Sequence, residues 1–204
     1  MLKFGGPYLK FFLFMVPLLY GCSSTQVSVL PKKEKYIKPI EPIRSEIVIP
    51  DVILSELNKF KVKPWKYIVI HHSASDSGNA SSIDKYHKEV KGWSNGLGYH
   101  FLIGNGHGSE DGQIEVGDRW NEQIDGAHAG NSEYNRYGVG VCLIGNFENS
   151  VPTDSQVSSL LYLINYLQER CNIPKENIVM HRNVRDTICP GEHFPYYELM
   201  ARLK

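Results

Sequence analysis

Gly138-Val139-Gly140-Val141-Cys142-Leu143-Ile144 is a seven-residue run made only of glycine and apolar side chains. A strand apolar on both faces belongs inside a sheet that is covered on both sides. Shorter runs supply its neighbours: Tyr67-Ile68-Val69-Ile70-His71, Tyr99 to Ile103, Gln113 to Val116 and Asn177 to His181. Between them lie helical patterns. The clearest is Thr153 to Cys171, where Thr153 and Gln156 form a capping-box pattern and Val157, Leu160, Leu161, Ile164, Leu167 and Cys171 share one face. Ser82 to Lys91 and Phe194 to Leu203 are expected as further helices. This alternation predicts an α/β fold, a single domain with a central, mostly buried mixed β-sheet flanked by helices.

The chain has 204 residues, 42% of them hydrophobic, enough for one ordinary domain plus extra segments. Its formal net charge of zero offers neither a nucleic-acid footprint nor a polybasic membrane patch, so no nucleic-acid partner is expected. Residues 1–21 are different in kind. Lys3 and Lys10 precede the apolar run Phe11 to Tyr20, which reads as a secretory signal and falls short of the roughly 20 residues a membrane span needs. Leu19-Tyr20-Gly21-Cys22 resembles the lipobox of bacterial lipoproteins, which implies Cys22 as the lipid acceptor and first mature residue. With Ser23 next, the resemblance implies a cell-envelope protein, lipid-anchored at the outer membrane and facing the periplasm. Residues 22–62 then read as an extended linker punctuated by Pro31, Pro39, Pro42 and Pro50, with a short helix between Asp51 and Phe60 packing on the domain. The catalytic domain is expected over 63–204.

Three residues stand out within it. His71 closes the first strand, His181 closes the last, and Cys189 follows His181 after seven intervening residues. Two imidazoles and a thiolate suit zinc, and three protein ligands leave a fourth position open, the mark of a catalytic rather than a structural site. Ligands separated by more than a hundred residues need a folded sheet to bring them together. One zinc ion so held lowers the pKa of water to about 7 and polarises a carbonyl, so amide hydrolysis is natural chemistry for it. Since strand neighbours point to opposite faces, His71 and His72 cannot both serve the same ion, and the sequence leaves either in register. Cys142 and Cys171 have two readings, separate thiols or a disulfide between them.

Five blocks sharpen this. Ile68 to Ser73, Gly98-Tyr99-His100-Phe101, Gly126-Ala127-His128-Ala129-Gly130, Gly138 to Gly145 and His181 to Gly191 occur in this order. Together they resemble the type 2 N-acetylmuramoyl-L-alanine amidases, a family that includes amidase-type phage lysozymes and peptidoglycan recognition proteins. The resemblance implies His71, His181 and Cys189 as zinc ligands and Tyr99 as a catalytic residue near the metal. It also implies Thr187 as an oxyanion donor, where phage members carry a lysine. The expected substrate is the amide joining the lactyl group of N-acetylmuramic acid to the stem peptide's L-alanine, in peptidoglycan or in muropeptides. His128, Trp93, Asn131 and Arg182 are expected along the substrate groove, while His87, His100, His107 and His193 are assigned to core or surface. Cys142 stands where the aspartate-ligand branch has a glutamate. Two alternatives remain: a non-catalytic muropeptide-binding module of the same fold, or an amidase restricted to soluble anhydro-muropeptides. Oligomeric state is not legible.

Overall fold

The computed structural model describes residues 54–203, apart from Glu56 and Phe60. The expected signal, Cys22 and most of the expected linker lie outside the described residues.

Among the described residues five strands are formed: β1 (Tyr67–His72), β2 (Phe101–Ile103), β3 (Ile114–Val116), β4 (Gly138–Leu143) and β5 (Ile178–Met180). They make one sheet in the order β3-β2-β4-β1-β5. The apolar run at β4 is buried along its whole length, flanked in parallel by β1 and β2. β5 extends the parallel part beyond β1, and β3 pairs antiparallel at the other edge, so the sheet is mixed. Around it lie the helices α1 (Ala80–Glu89), α2 (Asp118–Asn121), α3 (Ser132–Tyr137), α4 (Asp154–Cys171) and α5 (Tyr196–Arg202).

Strand alternation divides the labour. Ile68 and Ile70 of β1, Val139, Val141 and Leu143 of β4, and Phe101 and Ile103 of β2 enter one large core. Val157, Leu160, Leu163, Ile164 and Leu167 of α4 meet them there. Each such side chain contributes about 1.5–3 kcal/mol by leaving water. α4 starts as its sequence demands, with Thr153 and Gln156 completing a capping box. Gln156 does more than cap: its buried amide donates to Ile103 O at 3.1 Å and Ile144 O at 2.8 Å, fastening the helix to the ends of β2 and β4. The opposite face is thinner, a cluster of Leu97, Leu102, Cys142 and Ile144 packed against Ala80 and Ile83 of α1 and against Tyr99.

Several boundaries differ from expectation for local reasons. α1 begins two residues early because Asn79 is its N-cap, accepting from Ser82 N. The closing helix begins at Tyr196, after Pro195. α2 and α3 went unforeseen, since neither is long enough to show apolar periodicity and α3 buries no residue. No disulfide joins Cys142 to Cys171; both are free, one in each of the two clusters. Upstream of 63, the end of the segment expected to hold a short helix packs on the domain. Leu57 is fully buried, Asn58 N donates to Leu54 O, and the Tyr166 hydroxyl of α4 donates to Leu57 O at 3.0 Å.

Candidate metal centre

The second face of the sheet carries the polar chemistry. His71 lies beside Cys142 in the β1–β4 register and is buried there. His72 turns the other way, and its Nδ1 accepts from Phe147 N at 3.1 Å, so of the two only His71 faces the cluster. His181 follows β5 directly and opens a short 3-10 turn, His181–Asn183. The chain then doubles back, held by Arg182 N donating to Cys189 O at 2.9 Å. That return brings Cys189 Sγ within 3.3 Å of His72 N, which donates to it, and 3.9 Å from His71 Nδ1. One ligand atom from each of His71, His181 and Cys189 lies within 4.8 Å of the others. A tetrahedral ion with bonds of about 2.0–2.3 Å needs donors roughly 3–4 Å apart, so the trio fits a zinc ion with little adjustment.

Burial sets the charge states. It lowers the pKa of His71 well below the ordinary imidazole value, with His128 and His181 adding repulsion, and it lowers that of His181 too. Both rings are therefore neutral, the form that ligates. Burial likewise pushes the Cys189 thiol up to about 12, against the opposing pull of the His72 N–H and Arg182. A cation in the cluster is what would make this sulfur a thiolate.

Tyr99 borders the trio, its ring centroid 5.2 Å from that of His71 and its side chain packed against the cluster that holds Cys142. Burial raises its pKa well above 10, followed by the neighbouring Cys142 and Cys189, so the phenol keeps its proton and acts as a donor. Thr187 Oγ1 accepts from Cys189 N at 3.3 Å, which leaves the hydroxyl proton free to be donated. Trp93 packs 4.6 Å from His87, and His87 6.0 Å from Tyr99, a row of rings leading from the half-buried Trp93 to the trio.

Three residues expected along the groove make hydrogen bonds within the fold. Asn131 caps α3 by accepting from Glu133 N at 3.1 Å and donates to Val184 O at 3.4 Å, so both ends of its amide are engaged within the fold. Arg182 donates from Nη2 to Gly191 O at 2.8 Å and braces the turn that carries Cys189. His128 is buried behind His71, its Nδ1 3.0 Å from His71 Nε2. Burial lowers its pKa to about 3, so it is neutral. His87 and His100 are buried and His107 exposed, as expected. Asn135, which holds the 126–130 loop through its side-chain oxygen, was missed by sequence reasoning; nothing distinguishes it from an ordinary helix-surface asparagine.

The profile of the N-acetylmuramoyl-L-alanine amidases (Amidase_2) matches residues 61–192, a span that runs from just before β1 to just beyond Cys189. The chain belongs to this family. Peptidoglycan-recognition protein SC1a of Drosophila melanogaster is 32% identical over 62% of this chain and 68% of its own length. Mouse peptidoglycan recognition protein 1 is 29% identical over 86% and 92%. Among solved structures, the amidase LysC from Clostridium intestinale URNW shares 33% identity at a TM-score of 0.59, covering 71% of this chain and 92% of that one. A Drosophila PGRP-LB variant in complex with tracheal cytotoxin shares 29% at 0.55, over 68% and 82%. The relatives of this amidase-family chain thus include both amidases and recognition proteins.

Proposed function

We propose that this protein is a zinc-dependent amidase that cleaves the bond between the lactyl group of N-acetylmuramic acid and the L-alanine of the stem peptide. The observation that carries the reading is the convergence of His71, His181 and Cys189 with a protonated Tyr99 at their border. A recognition module needs no such donor set, whereas a hydrolase needs all of it. Zinc bound there would supply Lewis acidity toward water and the scissile carbonyl. The chain's own groups do the rest. Tyr99 donates a hydrogen bond toward the carbonyl oxygen as negative charge develops on it, and Thr187 offers a second donor from the Cys189 loop. When the C–N bond breaks, the alanine nitrogen must gain a proton, and the protonated Tyr99 at the border of the trio is the group to relay it.

The family match and the amidase among the solved relatives support the activity, and the recognition-protein relatives support a muropeptide ligand. Cys189→Ala should abolish both zinc binding and release of stem peptides from purified sacculi, measured by metal analysis and mass spectrometry. Release at the unmutated rate by that variant would overturn the assignment. We extend the proposal to location: export and lipidation at Cys22 would set the domain among cell-envelope amides. Incorporation of labelled palmitate, absent in Cys22→Ala, would support this; labelling that persists in the variant would refute it.

A further inference from the structure

The loop 126–130 touches both imidazoles of the trio from behind. His128 Nε2 lies 3.2 Å from Gly138 O, and its Nδ1 lies 3.0 Å from His71 Nε2. A carbonyl can only accept, so His128 donates from Nε2, and its Nδ1 is left to accept from the facing imidazole. His71 must then donate from Nε2. That leaves the lone pair of His71 on Nδ1, the nitrogen 3.9 Å from Cys189 Sγ. The next residue repeats the arrangement for the other imidazole: Ala129 O lies 3.1 Å from His181 Nε2, which must donate to it, leaving Nδ1 of His181 bare.

The loop is itself fixed. Asn135 Oδ1 accepts from His128 N at 3.0 Å and from Ala129 N at 2.8 Å, and Asn135 O accepts from Gly126 N at 2.8 Å. Room for the His128 ring comes from two glycines. A Cβ on Gly140 would stand 2.5 Å from His128 Cδ2, and one on Gly126 would stand 2.3 Å from the same atom. Glycine weakens a strand interior, so its presence at the middle of β4 has a cause, the close approach of this ring.

We propose that loop 126–130 is a positioning clasp in which His128 and the Ala129 carbonyl preset His71 and His181 as Nδ1 donors, with Asn135 holding the clasp in place. The proposal rests on the metal-centre reading above. It departs from the usual support of ligating histidines by a carboxylate, carbonyl or water, because His71 is backed by a second neutral imidazole. His128 is a positioning residue and need not touch substrate.

Two measurements on the full chain test it. In the metal-free protein, long-range nitrogen–proton NMR of the imidazoles should show His71, His128 and His181 each protonated on Nε2 and bare on Nδ1. Zinc affinity by chelator competition should fall about 10–100-fold in His128→Phe, the usual cost of losing such a partner. His128→Asn, which keeps an acceptor near the Nδ1 position, should recover part of the loss, and Asn135→Ala should weaken binding as well, with circular dichroism confirming that each variant is folded. His71 found protonated on Nδ1, or a folded His128→Phe that binds zinc as tightly as the unmutated chain, would overturn the clasp alone. An unmutated chain that binds no zinc would overturn the metal-centre reading, and the clasp with it.

Discussion

The two faces of the central sheet are built from the same strands and have opposite requirements. On the α4 side, Ile68, Ile70, Val139 and Val141 share one core with Leu160, Leu163 and Ile164, held chiefly by apolar burial. On the other side, the positions in between place His71 and Cys142 next to each other, with Tyr99, His128, His181 and Cys189 gathered around them. The apolar face depends on area and volume, and a substitution there is felt as stability. The polar face depends on which atom points where, and a substitution there is felt as lost ligation. A one-residue step along β1 moves from one regime to the other.

The largest effect that would sharpen this contrast is at that step. His71→Ala should lose zinc and all release of stem peptide, while His72→Ala should keep its zinc. The second variant should instead lose about 1–3 kcal/mol of stability, because Phe147 N is left without its buried acceptor. Equal zinc loss in both, by metal analysis, would erase the distinction between the faces. Next in size, Leu160→Ala on the apolar side should cost about 2–5 kcal/mol in denaturant unfolding while the folded fraction retains zinc.

A smaller, graded effect should appear with pH. Burial holds His100 neutral, well below the ordinary imidazole value, with Gly140 N donating to its Nδ1 at 2.9 Å and its Nε2 donating to Ile124 O at 3.2 Å. The unfolded chain, with a histidine pKa of about 6.5, therefore takes up this proton more readily than the folded one. Stability is full above about pH 6.5 and falls as pH drops from there toward the folded value. His100 can account for up to about 1.4 kcal/mol per pH unit over that range. Urea midpoints between pH 7.5 and 5 should show a shallower decline in His100→Gln, and an unchanged slope would mean that His100 does not supply it.

How much of this was legible depends on what kind of signal each part leaves. The sheet and α4 announce themselves by periodicity: the run at 138–144 is the central strand, and Thr153 with Gln156 starts the long helix. The trio was legible because histidines closing two strand runs and a later cysteine suit zinc, and because the five ordered blocks resemble an amidase family. Alternation along β1 already required His71 and His72 to part, but only the register with β4 says which faces the cluster. Asn131, Arg182 and His128 are polar residues close in sequence to the site blocks, and their hydrogen bonds with Glu133 N, Gly191 O and Gly138 O are ones that only the folded chain supplies. α2 and α3 left no periodic trace, being too short to repeat one.

The return of the chain from β5 to Cys189 has a mechanical consequence. His71 and Cys189 are separated by 118 positions along the chain, and Arg182, Gly191 and the turn between them carry the sulfur back to β1. An ion gripped by both would act as a buckle, cinching the start of the sheet to the closing segment of the polypeptide. Shutting so long a loop takes away much of the freedom of the unfolded chain. Endurance against heat and proteases should therefore follow metal supply, so that scarcity of the ion would limit how long the molecule lasts as well as how fast it works.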